Sequence, residues 1–288
     1  MAYLDTATYG LPPDATLVAM RGALDAWQGG TADWIEDWDR AGERARTAFA
    51  RLVGTDPANV ANLPAVSVGV GLIAAALGAD DEVVVPSDEF TSVLFPLLVA
   101  RDRGVGVREV PLTGLVEAIR PGTTLVAFSL VGMQTGLLAP LAAILDKAAS
   151  VGARTLVDAT QGLPLVPLGT AIDRIDYLVA AGYKHLLCPR GVAFMAIAAG
   201  CRDELPPILA NWRAADRPYG RYFGGPLTLA KDAARFDVSL AWLPWVGAAE
   251  SLELLATWSA ATRSGCPRTS TRARTTSRAR LKSSGPSC

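Results

Sequence analysis

Short apolar runs alternate with helical patterns along most of the chain. The runs have the length and the β-branched content of buried strands, and they lie at residues 82–86, 105–110, 124–130, 153–158, 177–180 and 192–197, while residues 60–64 lead into a helix. Helical periodicity predicts helices at residues 15–27, 34–53, 67–77, 91–103, 112–119 and 140–151. Apolar strands that alternate with helices predict an α/β fold, a mainly parallel sheet of the seven-stranded type with helices on both faces.

The two ends of the chain differ from this body. Residues 1–15 predict an N-terminal arm, because Pro12 and Pro13 prevent an immediate helix. A helix is predicted to begin near Leu252, but residues 261–288 are rich in Ser, Thr, Arg and Gly and almost free of apolar side chains. Such a segment cannot bury enough surface to offset its ordering entropy. We therefore expect one domain over residues 1–260, followed by a disordered tail.

Composition narrows the class of protein. Half of the 288 residues are hydrophobic, yet no apolar run reaches the roughly 18 residues of a membrane helix, and the N-terminus lacks the features of a secretory signal. Four cysteines without ligand spacing favour a reducing compartment, and a single histidine argues against a multi-histidine metal site. We expect a cytoplasmic protein with no membrane partner and no metal.

Charge is unevenly distributed although the net charge is only −1. Seven basic residues and no acidic ones lie between Arg263 and Lys282. A basic tail can bind nucleic acid, but this one has no aromatic side chains for base stacking, so we expect no nucleic-acid partner. The abrupt change within a helical pattern suggests that the native C-terminal portion was replaced, for instance by a frame shift or a truncated reading. Resequencing of the source locus tests that hypothesis.

Lysine is rare, with four against 23 arginines. Lys184 follows the apolar run at 177–180, and a Pro-Arg-Gly turn at 189–191 comes after it. A buried lysine can lower its pKa and act as an amine nucleophile, which an arginine cannot do. Lys184 is therefore a candidate Schiff-base lysine, and a surface lysine after a strand is the alternative. His185 points the other way in an extended segment, so we expect it to pack.

Further candidate groups lie where strands are predicted to end, the usual place for ligands in open parallel sheets. Asp158 ends a strand, Phe90 follows another, and Ser67 and Val68 open a helix rich in small residues. Together with Lys184 they supply what a pyridoxal phosphate site requires: an amine, a carboxylate for the pyridine nitrogen, an aromatic face and a helix N-terminus for the phosphate. Each signal is weak alone, and their order and spacing strengthen the set.

Four segments resemble the class V aminotransferase branch of fold-type I pyridoxal-phosphate enzymes: residues 3–7, 157–162, 181–191 and 235–237. That branch includes cysteine desulfurases, kynureninases, isopenicillin-N-epimerase-like proteins and ergothioneine-pathway C–S lyases. The resemblance covers residues 3–260 and is specific to the superfamily more than to the reaction.

The resemblance implies a role for each matched residue. Lys184 forms the Schiff base with pyridoxal phosphate and moves the substrate Cα proton, and Asp158 pairs with the ring nitrogen. The remaining implied cofactor contacts are Ser67 and Val68 at the phosphate, Phe90 on the ring, Gln134 in a facing loop, Gln161 on the phenolic oxygen and Tyr183 as an extra phosphate donor. Gly224 and Gly225 belong to a segment that reaches a neighbouring subunit's phosphate, which implies a homodimer with a shared active site.

Two departures narrow the reaction. Phe90 stands where cysteine desulfurases have histidine, and no cysteine of the body lies in a recognisable persulfide-forming loop. Residues 4–12, 88–92 and 235–239 are most similar to the ergothioneine-pathway lyases, which cleave the Cβ–S bond of a cysteine-sulfoxide conjugate. We expect an enzyme that removes the Cα proton of an amino-acid substrate through Lys184 and eliminates at Cβ. A transaminase or an epimerase uses the same first steps and stays open.

The family also has a small C-terminal domain that closes over the site and supplies an arginine for the substrate carboxylate. Because the resemblance ends near residue 260, we expect this chain to lack that domain. Orientation of the substrate and exclusion of water would then be weakened. A catalytically weak remnant, or a non-enzymatic scaffold that binds the cofactor, is the alternative function.

Overall fold

The computed structural model describes residues 2–262 of the chain. Within this range the strands are β1 (Val60–Leu63), β2 (Glu82–Pro86), β3 (Gly106–Val110), β4 (Thr123–Ser129), β5 (Arg154–Asp158), β6 (Tyr177–Ala181) and β7 (Ala193–Ile197). The α-helices are α1 (Asp14–Gly29), α2 (Arg40–Val53), α3 (Val66–Ala76), α4 (Thr91–Ala100), α5 (Leu115–Ala118), α6 (Leu141–Val151) and α7 (Trp242–Thr262).

The strands form one seven-stranded sheet in the order β1-β7-β6-β5-β4-β2-β3. Five neighbouring strands from β6 to β3 run parallel, and β7 is antiparallel to both of its neighbours. The predicted mainly parallel sheet is therefore confirmed. The register places Ser129 beside Asp158, and Asp158 beside Val179. The carboxyl ends of β4, β5 and β6 consequently meet at one level of the sheet edge.

Alternate residues of each strand point to opposite faces and build two apolar cores. On one face, side chains such as Phe128 and Phe194 pack with helices α2, α5, α6 and α7. On the other face, side chains such as Val85 and Met195 pack with α3 and α4. Helices thus cover both faces of the sheet, as predicted.

The predicted helices are present, but two begin differently from the prediction. The helix expected from residue 34 starts as a π-helical turn, Trp34–Asp39, which Asp33 caps by accepting hydrogen bonds from two backbone N–H groups. Helix α7 starts well before Leu252. Its Pro244 lies in the first turn. Proline is tolerated there because a backbone N–H at that position would have no intrahelical acceptor.

The C-terminal predictions fall mostly beyond the part of the chain that the structure describes. Residues 261 and 262 belong to α7, and the rest of the predicted tail lies outside the described residues. The domain boundary at residue 260 stays a prediction. Over residues 2–262, the helices include none with both the length and the apolar character needed to span a bilayer.

Candidate active site

A cavity of about 200 Å³ opens at the carboxyl ends of β4, β5 and β6. The start of α3, the start of α4 and the loop between β6 and β7 complete its wall. Ligand sites occupy this edge in parallel α/β sheets. The cavity brings together six of the predicted residues, which are Ser67, Phe90, Asp158, Gln161, Tyr183 and Lys184.

Lys184 lies three residues beyond the end of β6, and only 3% of it is exposed. Its Nζ lies 3.6 Å from the Met133 Sδ and 5.1 Å from the centroid of the Phe90 ring. Burial lowers the pKa of Lys184, and the nearby Asp158 carboxyl opposes that shift. The described residues place no carboxylate within ion-pair distance of this amine. Lys184 therefore reaches its neutral, nucleophilic form more readily than an ordinary lysine.

Asp158 is the last residue of β5 and is 4% exposed. Its Oδ1 accepts a hydrogen bond of 2.8 Å from the Thr160 backbone N–H. Burial raises the pKa of Asp158, while the hydrogen bonds from Thr160 and the charge of Lys184 act in the opposite direction. The cavity wall thus contains a buried acid and a buried amine, and burial favours the neutral form of each.

Backbone hydrogen bonds hold the lysine in place. The loop after β6 closes through a 2.8 Å bond from the Gly182 N–H to the Val192 carbonyl. The N-terminal arm crosses this loop, where the Gly10 N–H donates to the Tyr183 carbonyl at 2.8 Å. A Cβ on Gly10 would lie only 2.1 Å from the Lys184 carbonyl oxygen, so no other residue fits there. The arm and the lysine loop therefore form one packed unit.

Gln161 joins the same unit through both ends of its amide. Its Oε1 lies 3.0 Å from the His185 Nε2, and its Nε2 donates to the Ala7 carbonyl at 3.1 Å. Burial and the charge of Lys184 lower the pKa of His185. His185 does not line the cavity, so its contact with the site runs through Gln161.

The start of α3 presents backbone donors to the cavity. Its N-cap, Ala65, provides no side-chain hydrogen bond, and the Val68 N–H donates to the Ala65 carbonyl at 3.1 Å. Val66 and Ser67 lie in the first turn, where the backbone N–H groups have no intrahelical acceptor, and both residues line the cavity. An uncapped helix N-terminus favours an anion. The Val68 side chain packs against the core and does not line the cavity.

Besides Val68, three further predicted residues, Gln134, Gly224 and Gly225, do not line the cavity, which makes four of the ten. Gln134 is exposed, and its neighbour Met133 lines the wall instead. Gly224 and Gly225 lie in an exposed segment away from the lining residues. Their expected role concerns a second subunit and stays a prediction.

Sequence reasoning missed Glu89, a buried carboxylate beneath the site. It accepts hydrogen bonds of 2.7 Å from the backbone N–H groups of Phe90 and Ser129, and the Ser129 hydroxyl donates to it at 2.5 Å. Burial raises the pKa of Glu89, and these hydrogen bonds oppose the shift. Glu89 therefore links the backbone of Phe90 to Ser129 at the end of β4 by hydrogen bonds. The available signal was an acidic residue three positions after a buried strand and directly before Phe90.

Met133, Thr160 and Arg190 also line the cavity without having been predicted. Each comes from a loop. Thr160 and Arg190 lie in matched segments, but the resemblance assigned neither residue a contact in the site. The residues that are present fit the expected pyridoxal phosphate. Lys184 offers an amine for its aldehyde, Asp158 a buried carboxylate for its ring nitrogen, Phe90 an aromatic face, and α3 donors for its phosphate.

Comparisons with known proteins extend over most of the chain. The family model for aminotransferase class-V matches residues 2–273. Isopenicillin N epimerase of Streptomyces clavuligerus is 31% identical over 74% of this chain and 58% of its own length. A probable cysteine desulfurase of Aeropyrum pernix is 28% identical over 75% of this chain and 57% of its own.

Solved structures share the fold. The complex of the cystine C-S lyase C-DES with cysteine persulfide has a TM-score of 0.77 at 22% identity, and the match covers 88% of this chain and 71% of that one. An apo cysteine desulfurase from Thermococcus onnurineus has a TM-score of 0.75 at 19% identity, over 88% and 67% of the two chains. The chain spans about three fifths of the length of the curated relatives that match most of it.

Proposed function

The chain belongs to the class V aminotransferase family, and from this premise we propose that it is a pyridoxal-phosphate-dependent enzyme acting on an amino acid at Lys184. One observation carries the proposal. A buried lysine with a lowered pKa faces the same cavity as a buried aspartate, and in the described part of the chain no carboxylate lies within ion-pair distance of its amine. A purely structural buried lysine would be expected to have a charged partner.

The residues of the chain divide the work. When bound, pyridoxal phosphate supplies a ring that accepts the electron pair left at the substrate Cα. Lys184, with its lowered pKa, is the base that takes the Cα proton. Burial favours the neutral form of Asp158. A protonated ring nitrogen beside it would favour the ionised carboxylate, and the carboxylate would in turn favour protonation of that nitrogen. Phe90, whose ring centroid lies 5.1 Å from the Lys184 Nζ, would offer an aromatic face to the cofactor ring.

The finer proposal is a C–S lyase that acts on a cysteine-sulfoxide conjugate of the ergothioneine type. Lys184 takes the Cα proton, the Cβ–S bond breaks with its electrons leaving on sulfur, and hydrolysis gives pyruvate and ammonia beside the sulfur product. Cys188 and Cys201 are buried and do not line the cavity. Burial raises the pKa of Cys201 to about 12 and also raises that of Cys188. A lyase needs no enzyme thiolate, whereas transfer of sulfur to the protein does.

Epimerisation is the second candidate. It is favoured by the similarity to isopenicillin N epimerase, which exceeds that to the probable cysteine desulfurase described above. Removal of the Cα proton is common to both reactions, and the fate of the Cβ substituent separates them.

Cofactor binding is tested first. The purified chain, incubated with pyridoxal phosphate and desalted, should keep an absorption band at wavelengths longer than those of the protein itself. Lys184→Ala should lose the band, because the amine that holds the aldehyde is gone. Lys147→Ala, which changes a lysine of α6 away from the cavity, is the matched control and should keep it. A band that survives in Lys184→Ala would refute the proposed attachment.

The reaction is tested next with S-methyl-L-cysteine sulfoxide. Release of pyruvate that depends on Lys184 supports the lyase. Exchange of the Cα proton with solvent deuterium and appearance of the Cα epimer, without pyruvate, would indicate an epimerase instead of a lyase. A product formed only when a 2-oxo acid is added would indicate a transaminase.

We also propose a homodimer with a shared active site. Support comes from Phe223, which is 90% exposed directly before Gly224 and Gly225. An aromatic side chain so exposed is a common feature of interfaces. Light scattering should give twice the chain mass of 30.2 kDa. A monomer at micromolar concentration would contradict the shared site.

A further inference from the structure

Arg190 lies on the wall of the cavity and is exposed at its mouth. Its guanidinium carbon lies 5.2 Å from the centroid of the Tyr183 ring, and the Lys184 Nζ lies 5.9 Å from the same centroid. Two cations therefore share one aromatic ring inside one site. Lys184 is almost fully buried, so the buried amine is at the inner end of this pair and Arg190 is at the outer end.

The loop that carries both cations has a fixed shape. The bond from the Gly182 N–H to the Val192 carbonyl closes its base, and Pro189 restricts the backbone directly before Arg190. Gly191 follows with a φ of 96°, a turn conformation that glycine adopts without strain. The backbone thus fixes the positions from which the two cationic side chains extend.

Arg190 differs from the arginines that serve structure. Arg108 and Arg120, for example, both pair with Glu82. Among the described residues Arg190 has no ion pair or hydrogen bond, and it contacts the face of Tyr183. Stacking on an aromatic ring orients the guanidinium plane and leaves its N–H donors free. An oriented, unpaired guanidinium fits a carboxylate in a bidentate manner.

We propose that Arg190 binds an acidic group at the outer end of the substrate side chain, which makes acidic amino acids and acidic cysteine conjugates the preferred substrate class. The inference rests on the proposed function, because it takes the substrate amine to lie at Lys184. The α-carboxylate is only two bonds from that amine and stays deep in the cavity. The side chain can extend to the mouth, where Arg190 lies. The start of α3 already offers donors to the cofactor phosphate.

The test compares two isosteric conjugates, S-carboxymethyl-L-cysteine and S-carbamoylmethyl-L-cysteine, on the cofactor-loaded enzyme. The wild type should prefer the acid in kcat/KM by about tenfold to a hundredfold, the usual gain from charge-assisted hydrogen bonds. Arg190→Gln should abolish this preference through KM for the acid and leave the amide unchanged. Arg190→Lys should keep part of it, because charge remains and the fork is lost. Arg51→Gln, an exposed residue of α2, is the matched control.

Equilibrium binding gives a readout that does not depend on turnover. Calorimetry with L-glutamate and L-glutamine should show the same preference in the wild type and its loss in Arg190→Gln. If Arg190→Gln binds L-glutamate and L-glutamine more weakly by the same factor, Arg190 binds the α-carboxylate and the inference is overturned. Weaker cofactor retention by Arg190→Gln would assign it to the phosphate and overturn it as well. A wild type that retains no cofactor band would refute the proposed function and the inference together, whereas a normal band with unchanged titrations would refute the inference alone.

Discussion

Buried charge occurs in two regions of this protein, and they treat it differently. The first is the Asp237 cluster, formed by the buried Asp39, Arg46, Arg213 and Asp237 together with the half-exposed Glu43. Arg46 Nη2 lies 2.5 Å from Asp237 Oδ2, Arg213 pairs with both aspartates, and the Asn62 backbone N–H donates to Asp237 Oδ1 at 2.9 Å. Each charged group in this cluster faces an opposite charge at close range.

The cavity around Lys184 is the second region. Its amine contacts a thioether and aromatic faces. Its aspartate accepts one backbone hydrogen bond and, over residues 2–262, has no cation within ion-pair distance. Of the two regions, only the cluster compensates its charges by pairing. The comparison indicates that the paired charged side chains of the cluster stabilise the fold, whereas the unpaired charged side chains of the cavity are available to a ligand.

The largest expected effect comes from breaking the cluster. Asp237→Ala leaves Arg46 and Arg213 under-compensated and removes the acceptor of a buried N–H, so we expect it to lower the free energy of unfolding by about 3–5 kcal/mol. Urea unfolding measures the loss. Glu36→Ala, which removes an exposed pair with Arg40, is the control and should cost less than about 1 kcal/mol. Similar losses in the two variants would mean that the cluster does not stabilise the fold.

A change of opposite sign is expected in the cavity. Lys184→Met replaces an uncompensated buried amine with an apolar side chain of similar length, so the cofactor-free protein should become more stable by about 1 kcal/mol while losing function. The folded-state pKa of Lys184 lies below its ordinary 10.5, so the wild type carries the penalty of a buried ammonium below the folded pKa. The penalty fades as pH rises toward 10.5.

The gain from Lys184→Met should therefore be largest at low pH and vanish above about 10.5, the ordinary pKa of lysine. Unfolding midpoints measured over a pH series test this, with Lys147→Met as the control. A variant that is less stable than the wild type at every pH would show that Lys184 supports the fold, and the contrast between the two regions would fail.

The same contrast explains how far the sequence could be interpreted. The strands were predictable because β-branched runs are buried on both faces of the sheet, and the resemblance to the class V aminotransferases is confirmed. Asp237 belonged to one of the matched segments, yet in the structure it serves the cluster and not the cavity. A shared motif therefore identified the family without separating structural residues from those of the site.

The residues that were missed depend on contacts between distant segments. Gly10 is required by the Lys184 carbonyl, and Met133 reaches the Lys184 amine from 51 positions away in the chain. Glu89 likewise meets Ser129 across two strands of the sheet. No local periodicity encodes such pairs, because each exists only once the strand order has been set.

The smallest expected effect lies at Thr160, which connects Asp158 to the strand that precedes the lysine loop. Its backbone N–H donates to Asp158, and its hydroxyl accepts from the Ala181 N–H at 2.9 Å, next to the lysine loop. Thr160→Val leaves the Ala181 N–H without that acceptor, so we expect a loss of about 1 kcal/mol in the free energy of unfolding. The hydroxyl also lowers the pKa of Asp158, and its removal should raise that pKa further.

An ionised Asp158 is the form that would pair with a protonated ring nitrogen, so in Thr160→Val cofactor retention should begin to fail at a higher pH than in the wild type when pH is lowered. Cofactor titrations at several pH values measure the shift, and Thr160→Ser, which keeps the hydroxyl, should behave as the wild type does. If Val and Ser give the same pH profile, the hydroxyl does not tune the acid. The pKa of Asp158 would then not depend on this hydroxyl. The unpaired amine of Lys184 would be the main remaining difference between the cavity and the cluster.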